Sequence, residues 1–111
     1  MSNIDNINKY CELLLIYGKC LTPKQYSNMK DYYFSDFSLS EIAENQKVSR
    51  NAIHLSIKQA EEELDNFEQK LHFAEFIRKM KMELSTIQEE YKDDNLYKKI
   101  EEIKKEIDNG I

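Results

Sequence analysis

Ser38–Ala60, SLSEIAENQKVSRNAIHLSIKQA, reads as two short helices joined by a tight turn. Ser38 and Glu41 form a capping box: the serine oxygen accepts from the third backbone N–H and the glutamate reaches back to the cap N–H. Leu39, Ile42 and Ala43 follow as an apolar stripe at helical spacing. Past Gln46 and Lys47, Val48 is predicted to be buried and Ser49 to cap a second helix, whose Ile53 and Ile57 face the same core as Ala43. A small residue at 43 lets two steeply crossing helices approach closely. This is the helix-turn-helix pattern. Lys47 stands where such turns usually carry glycine, and a left-handed backbone there costs a non-glycine residue roughly 1 kcal/mol.

Upstream, Ile4, Ile7, Cys11, Leu14 and Leu15 recur at helical spacing and predict a first amphipathic helix from Ile4 to Tyr17, stopped by Gly18. Thr22-Pro23-Lys24-Gln25 is a second helix start, with a Thr cap, Pro at the first helical position and Gln closing the box. Tyr26, Met29 and Tyr33 line one face of that helix. A stripe of this period reads as core, with a base-stacking platform as the alternative. Phe34-Ser35-Asp36-Phe37 connects it to the central motif.

These residues resemble a known group of proteins. Leu21-Thr22-Pro23-Lys24-Gln25, Tyr32-Tyr33, Asp36-Phe37-Ser38-Leu39, Glu41-Ile42-Ala43 and Val48-Ser49-Arg50 are similar to the fourth region of bacterial sigma factors. The similarity is closer to the YlxM family of small bacterial helix-turn-helix proteins, where the string continues into a segment matching Phe67-Glu68-Gln69-Lys70-Leu71 here. It spans Cys20 to Phe73. The resemblance implies an all-α fold and a regulatory role. It also implies a link to the signal recognition particle pathway, because the family's gene commonly lies beside that of the particle's GTPase. The particle's GTPase or its RNA is the partner so implied.

Arg50, His54 and Lys58, spaced i, i+4, i+8, share one face of the second motif helix, and Asn51 lies beside them. They can contact phosphates and a base edge, or form an ordinary solvated face. Sigma-like helices continue here with Lys and Arg; this chain has Leu55 and Ser56 and then Glu61-Glu62-Glu63. Carboxylates near phosphate repel it, so duplex DNA binding is expected to be weak.

The helical pattern runs on. Ile53, Ile57, Ala60, Leu64, Phe67, Leu71 and Ala74 alternate four and three apart, a coiled-coil-like seam. A second stripe, Phe73, Ile77, Met80, Leu84, Ile87 and Tyr91, follows on a shifted face, in one long helix or in two with a bend near Phe73 to Ile77. After Lys92-Asp93-Asp94-Asn95, Asp94 is predicted to cap a last helix with Leu96, Ile100, Ile103 and Ile107. So much apolar surface must be covered, by folding back or by a second subunit. The reading is a helix-turn-helix domain over residues 1–71 and a helical extension over 72–111, which forms a homodimer through Phe73, Ile77, Met80, Leu84 and Ile87.

Composition bounds the function. In 111 residues there are two Gly, one Pro and no Trp, as in an all-α protein. A net charge of −5 argues against indiscriminate nucleic-acid binding. Cys11 and Cys20 define neither a disulfide framework nor a metal site. His54 and His72 have no placed partner for metal or base chemistry, no Gly-rich phosphate loop occurs, and acidic residues are interleaved with Lys in pairs such as Glu101 with Lys105. No cofactor and no catalysis are expected. The run Leu13-Leu14-Leu15-Ile16 is too short to cross a membrane, which predicts a cytoplasmic protein. Two functions remain: a docking module of the signal recognition particle pathway, or a dimeric regulator that reads duplex DNA.

Overall fold

The computed structural model describes residues 2–110. Its helices begin where short-range bonds permit. Thr22 Oγ1 accepts from the Gln25 N–H at 3.2 Å while Gln25 Oε1 accepts from the Thr22 N–H at 3.1 Å. Ser38 and Glu41 exchange the same two bonds at 3.0 Å each. The Glu41 carboxyl is held below its usual range by these bonds with Ser38. The chain is all-α: α1 (Ser2–Tyr17), a 3-10 turn (Gly18–Cys20), α2 (Pro23–Tyr33), α3 (Leu39–Gln46), α4 (Arg50–Leu71), α5 (Phe73–Glu90) and α6 (Asp94–Asn109). It divides into two compact units between Leu71 and His72.

In the first unit α1, α2 and α3 all pack on α4. Leu13, Leu14, Tyr17, Met29, Ile42, Ala43, Ile53, Ile57, Ala60 and Leu64 are buried and make its core. Gly18 is needed for space and not for a left-handed turn, since neither glycine has a positive φ. A Cβ on Gly18 would lie 2.7 Å from Tyr26 Cε1 and 3.1 Å from Leu14 Cδ1. The predicted seam does not run on to Ala74. His72 takes φ 57°, ψ 27° and interrupts the helix, so α5 starts a new register. Leu71 is 48% exposed, because the covering helices run out one turn earlier, where Tyr17 stacks on Phe67 with ring centroids 5.7 Å apart.

The second unit is an antiparallel helical hairpin. Gln88 donates to the Tyr97 carbonyl and to Glu101, Lys104 donates to Ser85, and Lys81 pairs with Asp108, so the partners descend α5 as they climb α6. The α6 cap is Asp93, not Asp94: its carboxylate accepts from the Leu96 N–H at 3.0 Å. Placing Asp93 outside the helix leaves Asp94 in the first turn, where its charge favours the N-terminal dipole. Ile100 is buried, and Leu96, Ile103 and Ile107 are half-buried. Gln88, also buried, satisfies both ends of its amide, with Lys104 Nζ donating to Oε1 at 2.8 Å. Glu101 is bound by Gln88 at 2.8 Å and Lys104 at 3.5 Å, and Lys105 acts on it only electrostatically.

Candidate nucleic-acid interface

The turn that presents α4 is closed by backbone bonds. Lys47 takes the left-handed conformation, φ 59°, ψ 42°. With it the Lys47 N–H reaches the Glu44 carbonyl at 3.2 Å and the Val48 N–H the Ala43 carbonyl at 3.0 Å. Ser49 Oγ then accepts from the Ala52 N–H at 3.0 Å and starts α4. Val48 is not buried; its side chain is 41% exposed. Among the apolar side chains between α2, α3 and α4 lies a polar bridge. Asn28, fully buried, donates to Ser56 Oγ at 2.9 Å and accepts from Gln46 Nε2 at 2.5 Å. This bridge ties the two motif helices to α2 and fixes how α4 is presented.

Arg50, Asn51, His54 and Lys58 are all exposed. None of their side chains makes a hydrogen bond or ion pair to another described residue. The structure therefore brings the four predicted residues onto one open face. The same stripe of α4 continues through Glu61, Asp65 and Glu68, at helical intervals of three and four. There its character reverses. Tyr33 donates its hydroxyl to Glu61, Tyr10 to Asp65 at 2.8 Å, and Tyr17 to Glu68 at 2.6 Å. Lys9 adds an ion pair to Asp65 at 3.0 Å. Burial and the acceptor carboxylates push the Tyr10 and Tyr33 phenols above their ordinary range. Of the predicted acidic run, Glu61 is thus drawn to α2, while Glu62 and Glu63 stay exposed. The tyrosine hydroxyls set where these carboxylates point.

Where the stripe changes sign, a groove of about 380 Å³ opens between α1, α2 and α4, lined by Ile7, Tyr10, Tyr32, Tyr33, His54, Lys58 and Glu61 among others. Tyr32 meets Tyr33 edge-on at 5.0 Å, and Tyr10 lies tilted against Tyr33 at 5.8 Å. Tyr26 and Tyr33 are thus half-buried parts of the packing, and Met29 alone of the predicted stripe is wholly buried. The partners in this tyrosine–carboxylate ladder lie 28 to 55 residues apart in the chain. Its only sequence signal is the spacing of Glu61, Asp65 and Glu68 on one stripe, which names no partners.

Residues 4–107 match the model of the family UPF0122, described as "Putative helix-turn-helix protein, YlxM / p13 like". The chain belongs to this family. UPF0122 relatives match it over most of their length: one from Fusobacterium nucleatum is 37% identical over 90% of this chain and 97% of its own. A second, from Streptococcus pneumoniae, is 37% identical over 96% of each. One from Malacoplasma penetrans is 59% identical over 61 residues, 55% of this chain and 57% of its own. As a UPF0122 member the chain is a helix-turn-helix protein of the kind the sequence resemblance named. Among the described residues no three His, Cys, Asp or Glu are placed to hold a metal, and no helix is long and apolar enough to cross a membrane. Cys11 and Cys20 are both free thiols; Cys11 is half-buried, and burial raises its pKa.

The predicted dimerisation residues fall in two environments. Ile77 and Leu84, on the stripe whose Lys81 and Gln88 reach α6, are half-buried, as is Met80. Phe73 and Ile87 are exposed, as is Phe76. The folding back of α6 on α5 thus covers part of the stripe expected to face a second subunit.

Proposed function

We propose that this chain is a non-catalytic, cytoplasmic regulatory adaptor whose first unit docks on a nucleic acid through Arg50, Asn51, His54 and Lys58. We place it in the signal recognition particle pathway, with the particle's RNA as the nucleic acid. The pathway rests on the family resemblance; the residues supply the chemistry. One observation carries the reading: two cations, an imidazole and an amide lie side by side on one exposed helix face, while Glu61, Asp65 and Glu68 further along it each accept a tyrosine hydroxyl. The test is fluorescence anisotropy with labelled particle RNA and, separately, labelled GTPase. Replacing Arg50 and Lys58 together by Ala is expected to weaken RNA binding and flatten its salt dependence by about one to two counterions. Binding only to the GTPase, unchanged in the double variant, would refute it.

A second reading, a dimeric regulator of duplex DNA, is favoured by the intact turn chemistry that presents α4. Its dimer would form through the second unit, where Phe73, Phe76 and Ile87 leave apolar surface exposed on α5. The full chain is then expected to sediment as a dimer at micromolar concentration and a chain ending at Leu71 as a monomer. A monomeric full chain removes this reading.

A further inference from the structure

We propose that the groove between α1, α2 and α4 holds one unpaired base of a single-stranded nucleic acid, and that this base carries an exocyclic amino group. The inference rests on nucleic-acid docking by the Arg50 face and names the form of nucleic acid that the face serves.

Size comes first. About 380 Å³ lies at the small end of ligand sites, which run roughly 300–1,000 Å³; it suits one planar group and not a helix or strand. The walls come second. Tyr10, Tyr32 and Tyr33 form a cluster of rings, half-buried and open to the groove. Stacking on such rings is how proteins take up unpaired bases. A base inside a duplex is stacked and paired, so it enters a recess of this kind only when unpaired or flipped out.

The polar atoms then select. The Tyr33 and Tyr10 hydroxyls are committed to Glu61 and Asp65. Five groups lining the groove make no side-chain hydrogen bond to a described residue: the Asn6 amide, the Tyr32 hydroxyl, the His54 imidazole, the Lys58 ammonium and the Oε1 of Glu61, whose Oε2 accepts from the Tyr33 hydroxyl. A carboxylate oxygen accepts only, so it favours a base with an amino group beside its ring nitrogen. Adenine, cytosine and guanine qualify. Uracil and thymine flank their one N–H with two carbonyls that the carboxylate repels. Lys58 at the rim meets the phosphate of the same nucleotide, and His54 and Arg50 continue the stripe along the strand.

The experiment is anisotropy of the full chain with labelled single-stranded A, C and U oligomers and with a duplex of equal length, at one fixed low salt concentration. The parent is expected to bind A and C more tightly than U, and all single strands more tightly than the duplex. Tyr32→Ala should weaken the A oligomer roughly 5- to 160-fold, the range that stacking one base contributes, and leave the duplex unchanged. Arg50→Ala should weaken every nucleic acid alike. Glu61→Gln keeps an acceptor for Tyr33 and adds a donor, so U should approach A. If Tyr32→Ala loses helicity, the base series on the parent decides. Equal affinity for A, C and U, or preference for the duplex, overturns the groove while leaving the Arg50 face in place. Failure to bind any nucleic acid overturns the docking reading and this one with it.

Discussion

Arg50, His54 and Lys58 at the start of α4, and Glu61, Asp65 and Glu68 further along it, lie on one stripe of a single helix. The first three face solvent with no side-chain partner among the described residues, while each of the last three accepts a tyrosine hydroxyl. The difference is what stands opposite. Tyr10 and Tyr17 of α1 and Tyr33 of α2 reach the second set; His54 and Lys58 of the first line an open groove. Charge on one helix face is thus divided into a part that holds the fold together and a part left for a partner. A count of Glu and Lys along the sequence does not separate the two.

The largest expected effect lies beneath both sets. Leu64, fully buried under the ladder end of α4, should cost about 2–5 kcal/mol when replaced by Ala, read as a lowered denaturant midpoint at unchanged slope. An unshifted midpoint would mean that α4 does not pack as described. The ladder itself comes next. Tyr33→Phe leaves the half-buried Glu61 without its hydroxyl donor and should destabilise by about 1–3 kcal/mol. Should Tyr33→Phe melt like the parent, the carboxylate end is as free as the cationic end and the contrast fails.

Alkaline titration sharpens the same point. The folded-state phenols of Tyr10 and Tyr33 are raised by burial and by Asp65 and Glu61. A raised pKa means the folded state holds its protons more tightly, so this stabilisation is fully present below the ordinary phenol value, about 10. It is lost as pH rises above that value towards the folded-state pKa. Melting temperature should therefore fall above about pH 10, and less steeply in Tyr33→Phe. Identical alkaline slopes would show that Tyr33 does not titrate with unfolding.

The smallest effect belongs to the open end. Arg50→Ala with Lys58→Ala should change stability by no more than about 0.5 kcal/mol, however strongly it changes nucleic-acid binding. A clear drop in stability would reveal an internal role for that face. Glu62→Gln with Glu63→Gln should leave stability equally unmoved and strengthen nucleic-acid binding, since both carboxylates are exposed just past Lys58. Unchanged binding in that variant would place the bound strand away from this turn.

What the sequence determined by itself lies within about four residues along the chain, the α6 cap excepted: the two capping boxes, Ser49 as a cap, the left-handed Lys47, the helical stripes and the open Arg50–Lys58 face. Those bonds form between neighbours along one turn, so residue type and spacing suffice. Tertiary structure alone decided the tyrosine partners of α4, which lie 28, 55 and 51 residues away in the chain. It decided that Val48 stays out while Asn28 and Gln46 go in, and that α6 folds back along α5. Such pairings depend on how helices cross and on which side chains fill the space first, and a periodic pattern states which face is apolar without stating what will cover it.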